Sequence, residues 1–115
     1  MKARPLPKLR VQISFERSFT EVEFLRLKRG LMAENMRDRW HIFYKEPWLY
    51  FVRSWTRFCI YKVRLKKSEN GCRVTAAFAS RDSRQYGGTD AREDARTVSR
   101  LINEVLLSDE QMSGS

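Results

Sequence analysis

Cysteine, histidine, proline and glycine are all scarce in these 115 residues, numbering 2, 1, 3 and 5. Two cysteines cannot build a disulfide framework, and with one histidine there is no Cys/His cluster to close a zinc site. No apolar run approaches the roughly 20 residues that cross a bilayer. The opening MKARPLPKLR carries basic residues with no apolar segment behind them, so neither a membrane partner nor a signal peptide is expected. The expected location is a reducing cytoplasm. Gly87-Gly88 lacks the spacing and the following Lys-Ser/Thr of a phosphate-binding loop. His41 has no nucleophile or orienting carboxylate fixed by spacing, and no carboxylate pair on a shared helical face is strong enough for an acid/base claim. The sequence therefore leans against an enzyme and calls for no metal and no cofactor.

What is present is the apolar content of one folded domain, 42% hydrophobic and 12% aromatic beside 32% charged residues. That domain is expected over residues 10–107, between a flexible basic N-terminus (1–9) and a frayed polar tail (108–115). The net charge of +9 is unevenly placed: residues 1–67 carry +11 (17 basic against 6 acidic) and residues 68–115 carry −2 (6 against 8). Such asymmetry raises the expectation of a polyanionic partner.

The alternation of Val11, Ile13 and Phe15 with polar residues predicts a first strand. Thr20 with Glu23 forms a capping-box signal for a helix from Glu21 to about Ala33, with Phe24, Leu27 and Leu31 on one side. Two β-rich runs flank Glu46-Pro47, and a two-residue turn there would pair Lys45 with Trp48 and, at the far end, Trp40 with Arg53. Asn70-Gly71 predicts a type I′ hairpin, which pairs Lys67 with Val74, Leu65 with Ala76, Val63 with Phe78 and Tyr61 with Ser80. After a loop at 81–89, Asp90 opens a helix to about Leu107, with Ala91, Ala95, Val98, Ile102 and Val105 as its apolar stripe. The order β-α-β-β-β-β-α predicts an α+β two-layer sandwich, an antiparallel sheet of about five strands with both helices on one face.

Opposed residues share a sheet face. Tyr61, Val63, Leu65, Val74, Ala76 and Phe78 should then line the core, as should Trp40, Ile42, Tyr44, Leu49 and Phe51. The other face receives Lys62, Arg64, Lys66 and Arg73 from one hairpin, and His41, Phe43, Lys45, Trp48, Tyr50 and Val52 from the other. Cys59 falls on the core-facing parity and is expected to be inert. Rings beside Lys and Arg on an open sheet are the ingredients of single-stranded nucleic-acid binding, in which rings stack on bases and cations hold phosphates. The same rings suit a homodimer interface, or can simply cover one another beneath Lys stems. No RNA-recognition motif, KH-type GxxG loop or zinc knuckle decides between them.

Arg53, Ser54, Trp55, Thr56 and Arg57 lie between β-rich runs and predict a structural corner. Two Arg, two hydroxyls and an indole also have the chemistry to hold a phosphate or carboxylate. The segments WHIFYKEPWLYF and RSWTRFCIYKV resemble an uncharacterised family of small bacterial domains with a W-x-I-x-Y…LYF-x-RSWT-x-FCIY pattern. The resemblance spans about residues 19–85 and implies no activity. Arg57 stands where that pattern has Gly, which argues against a positive-φ backbone at the corner.

The expected function is thus a noncatalytic module for nucleic acid or another polyanion. Its cationic contacts are Lys62, Arg64, Lys66, Arg73, Arg53 and Arg57, and its aromatic contacts are Phe43, Trp48, Tyr50 and Trp55. The alternative is a protein-interaction or homodimerisation domain with incidental basicity. A small-molecule site at the Arg53–Arg57 corner is a third reading.

Overall fold

Strands β3 (Trp40–Lys45), β4 (Trp48–Arg53), β5 (Cys59–Ser68) and β6 (Gly71–Ser80) follow one another as an antiparallel meander in the computed structural model, which describes residues 4–31 and 39–107. Two short strands, β1 (Arg10–Gln12) and β2 (Ser18–Thr20), share the far edge of β6 and complete a six-stranded sheet. The fold is α+β, with helices α1 (Glu21–Arg29) and α2 (Ala91–Leu101) on one face and the order β-β-α-β-β-β-β-α. The strand expected over Val11, Ile13 and Phe15 ends at Gln12, and a second short strand, not expected from the sequence, follows at Ser18–Thr20. β1 pairs with the Phe78–Ser80 end of β6, and β2 pairs with the Gly71–Arg73 end.

Helix α1 begins as its sequence predicts. Thr20 Oγ1 accepts from the Glu23 backbone N–H at 3.1 Å, and Glu23 Oε1 accepts from the Thr20 N–H at 2.9 Å, which satisfies two donors left over at a helix start. The helix stops at Arg29, before the expected Ala33, because Gly30 leaves the helical region at φ 64. Leu31 then exchanges both backbone hydrogen bonds with Ile42, each 2.7 Å, which covers part of the exposed edge of β3. Met32 and Ala33 lie outside the described residues, as does the polar tail. The expected second helix divides into α2 and a π-helical turn, Ile102–Leu106. Among the described residues, no helix is long and apolar enough to cross a membrane.

All six pairs expected for the Glu46-Pro47 hairpin occur, from Lys45 with Trp48 to Trp40 with Arg53. The Asn70-Gly71 register does not. Ser68 pairs with Gly71, so the two turn residues are Glu69 and Asn70, neither with positive φ, and Leu65 meets Val74 instead of Ala76. Gly71 is required for a different reason. Its φ is 153, and it pairs with Thr20 of β2 so closely that a Cβ there would collide with the Phe19 carbonyl oxygen.

Two bulges then decide which side chains face the helices. Thr75 is the extra residue on β6, since Leu65 pairs with Val74 but Arg64 with Ala76. Beyond it Ala77 and Ala79 enter the core, while Ala76 and Phe78, both expected inside, turn to the outer face. Ile60 is the extra residue on β5, between the Phe51–Tyr61 and Val52–Cys59 pairs. It joins the main core and sends Cys59 outward, against the expected parity. Cys59 is nonetheless buried, and desolvation pushes its thiol up to about 12. Cys72 is buried in the main core, and both cysteines are free.

The corner between β4 and β5 is a turn in which Arg57 N–H donates to the Arg53 carbonyl at 2.8 Å, and Phe58 N–H donates to Thr56 Oγ1 at 3.3 Å. Arg57 adopts φ 65 despite not being glycine, which corrects the expectation drawn from its identity. A left-handed conformation costs an L-residue about 1–2 kcal/mol, and glycine loses about 0.5–1 kcal/mol more chain entropy on folding. Arg57→Gly should therefore stabilise the fold by up to about 1 kcal/mol, read as a higher urea midpoint. A lower midpoint would show that the Arg57 side chain holds the corner.

Candidate polyanion interface

The outer face of the sheet is built in cross-strand rows. Lys45, Trp48, Arg64 and Ala76 form one, and Phe43, Tyr50, Lys62, Phe78 and Gln12 form the next. Lys66 pairs with Arg73 toward the β5–β6 turn, and Arg10 pairs with Ser80 at the other end. Lys62, Arg64, Lys66 and Arg73 thus share one face, as the sequence predicts. They do so because Arg73 precedes the bulge at Thr75, so its parity is unaffected by the slipped register. Arg64, Lys66, Arg73, Arg10 and Lys45 are exposed. No Asp or Glu occupies any outward-facing strand position.

The rings of this face are half-buried and pack on one another. Phe43 and Tyr50 stack at 5.1 Å, and Trp48 lies 6.1 Å from Phe78 at 46°. Lys62 Nζ sits 4.2 Å from the Trp48 ring centroid, near enough for a cation–π contact. Burial, and then the nearby Arg10 guanidinium, pull the Lys62 ammonium below its ordinary value. Burial also raises the Tyr50 phenol. Residues 4–9 of the basic N-terminal stretch reach this face, where Leu6, 5% exposed, closes a small second core with Val52 and Cys59. Arg4 N–H donates to the Arg57 carbonyl at 2.9 Å, and Arg10 donates to the carbonyls of Pro7 and Leu6.

The remaining expected contacts lie elsewhere. Arg53 faces the helix side, with its guanidinium carbon 4.4 Å from the Trp40 ring centroid. Arg57 and Trp55, the latter 67% exposed, belong to the β4–β5 corner and not to the strand rows. Arg10 and Phe78 join this face without having been expected there. The first was legible, because Val11 points inward and its neighbours must point out. The second was hidden by a bulge that has no sequence signature.

A separate polar cluster lies on the helix side. Asp94 is fully buried, accepts from Tyr86 Oη at 2.6 Å and pairs with Arg81 at 2.5 Å. Tyr86 Oη also lies 2.8 Å from Tyr61 Oη. Since the Tyr86 proton goes to Asp94, Tyr61 is the donor in that bond. Burial raises both phenols, and the bond to Asp94 adds to the rise at Tyr86. Comparison with known proteins returns no matching family model, no similar curated protein and no similar solved structure.

Proposed function

We propose that the outer face of the sheet is a noncatalytic binding surface for a polyanion, nucleic acid foremost. One observation carries this reading. Six cations, Lys45, Lys62, Arg64, Lys66, Arg73 and Arg10, stand at outward strand positions among which there is no carboxylate. Along β5 the cations recur every second residue, about 6.6 Å apart, on a rigid strand that holds them in line. A phosphate backbone laid along that row would release counterions at each contact.

The rings make a smaller contribution in this reading. Their faces are largely occupied by one another and by Lys62, so they offer edges and half-faces to a partner, and binding should depend on phosphate more than on base identity. The same charge pattern disfavours the homodimer alternative on this face. A twofold contact lays a patch on its own copy, and here that would set cations against cations with no carboxylates between them.

Lysine acetylation with and without a bound oligo(dT) 12-mer tests the location. Lys45, Lys62 and Lys66 should be protected, and Lys67, on the opposite parity of β5, should react as it does in the free protein. Protection of Lys67 and Lys28 in place of these three would move the binding site to the helix side.

A further inference from the structure

The helix-side face holds a second arginine cluster, at a cavity of about 430 Å³. Arg39, Arg53 and Arg100 contribute its charge, Trp40, Tyr61 and Tyr86 its rings, and Leu31, Leu101 and Val105 its apolar wall. These residues come from the segment after α1, the start of β3, the end of β4, β5, the loop before α2 and the second helical segment, so the fold gathers them from widely separated parts of the chain. Among the described residues, none that lines it is an acid. Glu104 reaches Arg100 from the rim at 3.8 Å, and the nearest buried carboxylate, Asp94, is already engaged by Arg81 and Tyr86.

The orientation of the polar groups limits what can enter. Tyr61 and Tyr86 commit their hydroxyl protons to the chain that ends at Asp94. The Trp40 ring is engaged by the Arg53 guanidinium at 4.4 Å and by Tyr61, stacked at 5.8 Å. Thr97 adds a hydroxyl to the lining, and the charged donors offered to a ligand are guanidinium groups, which match the paired oxygens of phosphate or carboxylate. The leucines and Val105 suit an apolar body. The volume lies in the range of small-molecule sites.

The geometry points to a small organic phosphate monoester as the ligand of this cavity, its dianionic head on Arg39, Arg53 and Arg100 and its apolar part against Leu31, Leu101 and Val105. A dianion is favoured over a carboxylate because three arginines line the cavity and, among the described residues, one carboxylate, that of Glu104, pairs with them. The site is distinct from the outer face, which lies on the other side of the sheet, and neither depends on the other.

Calorimetric titration with phenyl phosphate, benzoate and inorganic phosphate, with the Trp40 indole N–H followed by NMR, tests this. Phenyl phosphate should bind saturably at one site, several-fold tighter than either comparison probe, and should shift the Trp40 signal. Arg53→Gln and Arg100→Gln should each weaken it about tenfold, the effect of losing one charged hydrogen-bonding group. Arg100 is the cleaner variant, since Arg53 also covers Trp40. Arg64→Gln, on the other face, should change nothing. Absence of saturable binding, equal affinity for benzoate, or affinity unchanged in Arg100→Gln would each overturn the assignment, as would a loss in Arg64→Gln equal to that in the cavity variants.

Discussion

Asp94→Ala is expected to cost about 3–5 kcal/mol of folding stability, the range for breaking a buried ion pair by removing one partner. Asp94 is fully buried, and it satisfies both the Arg81 guanidinium and the Tyr86 hydroxyl. Its removal strands a mostly buried cation and a phenol together. Asp94→Asn keeps one acceptor and should cost less. Replacing the ion pair by apolar side chains, Asp94→Leu with Arg81→Met, should recover much of the loss, because the cost lies in the unpaired charge and not in the missing attraction. Urea unfolding at neutral pH measures all three. A loss below about 1 kcal/mol for Asp94→Ala would mean that water takes over the role of the carboxylate.

Reversing two charges on the outer face, Arg64→Glu with Lys66→Glu, is expected to weaken oligonucleotide binding at least about 100-fold at low salt, or about 2.7 kcal/mol. The change removes two phosphate contacts and puts two carboxylates in a row that has none. Arg92→Glu with Arg96→Glu makes the same change in net charge on exposed positions of α2. It should have a far smaller effect, since charges beyond a Debye length of about 10 Å at 0.1 M are largely screened. Trp48→Ala separates the aromatic contribution. It should cost modest affinity and leave the salt dependence unchanged, because an indole displaces no counterions. Equal losses in the two charge-reversal variants would reduce the outer face to a contributor to overall charge.

Much of this architecture was legible in the sequence, and the failures have local causes. The helix starts were readable because capping is a contact between near neighbours, as at Thr20 and Glu23. The Glu46-Pro47 register followed from alternation on both strands, which leaves one arrangement that buries Ile42, Leu49 and Phe51 together. The Asn70-Gly71 register failed because its glycine serves the approach of β2, a contact some fifty positions away in the chain that no local rule reports. The bulges at Ile60 and Thr75 were illegible for a related reason. Each is favourable only once both neighbouring strands are in place, and each reverses the parity of the strand residues beyond it.

The basic face survived these errors because Lys62, Arg64 and Lys66 all follow the bulge at Ile60, and the bulge at Thr75 belongs to β6 and leaves β5 itself uninterrupted beyond that point. The arginine cavity left no comparable signal. Its residues are far apart in sequence, and Arg53 was assigned to the opposite surface although its pairing with Trp40 had already put both on the core side. Asp94 left a clearer trace. It lies three residues after Ala91 and four before Val98, a charged residue on the apolar stripe of a helix, and such a position demands a buried partner.

The most direct measurement of the central claim is the affinity of the purified, nucleic-acid-free protein for an oligo(dT) 12-mer as a function of salt, by fluorescence anisotropy. Three or more phosphate contacts along β5 and its neighbours predict a linear fall of log K with log salt, with a slope of about −2 or steeper at about 0.7 per contact on a single strand. The slope should flatten by about 1.4 in Arg64→Glu with Lys66→Glu. A wild-type protein that binds neither this probe nor a duplex at low salt, or binds with an affinity indifferent to salt, would contradict the assignment of the outer sheet face as a polyanion-binding surface.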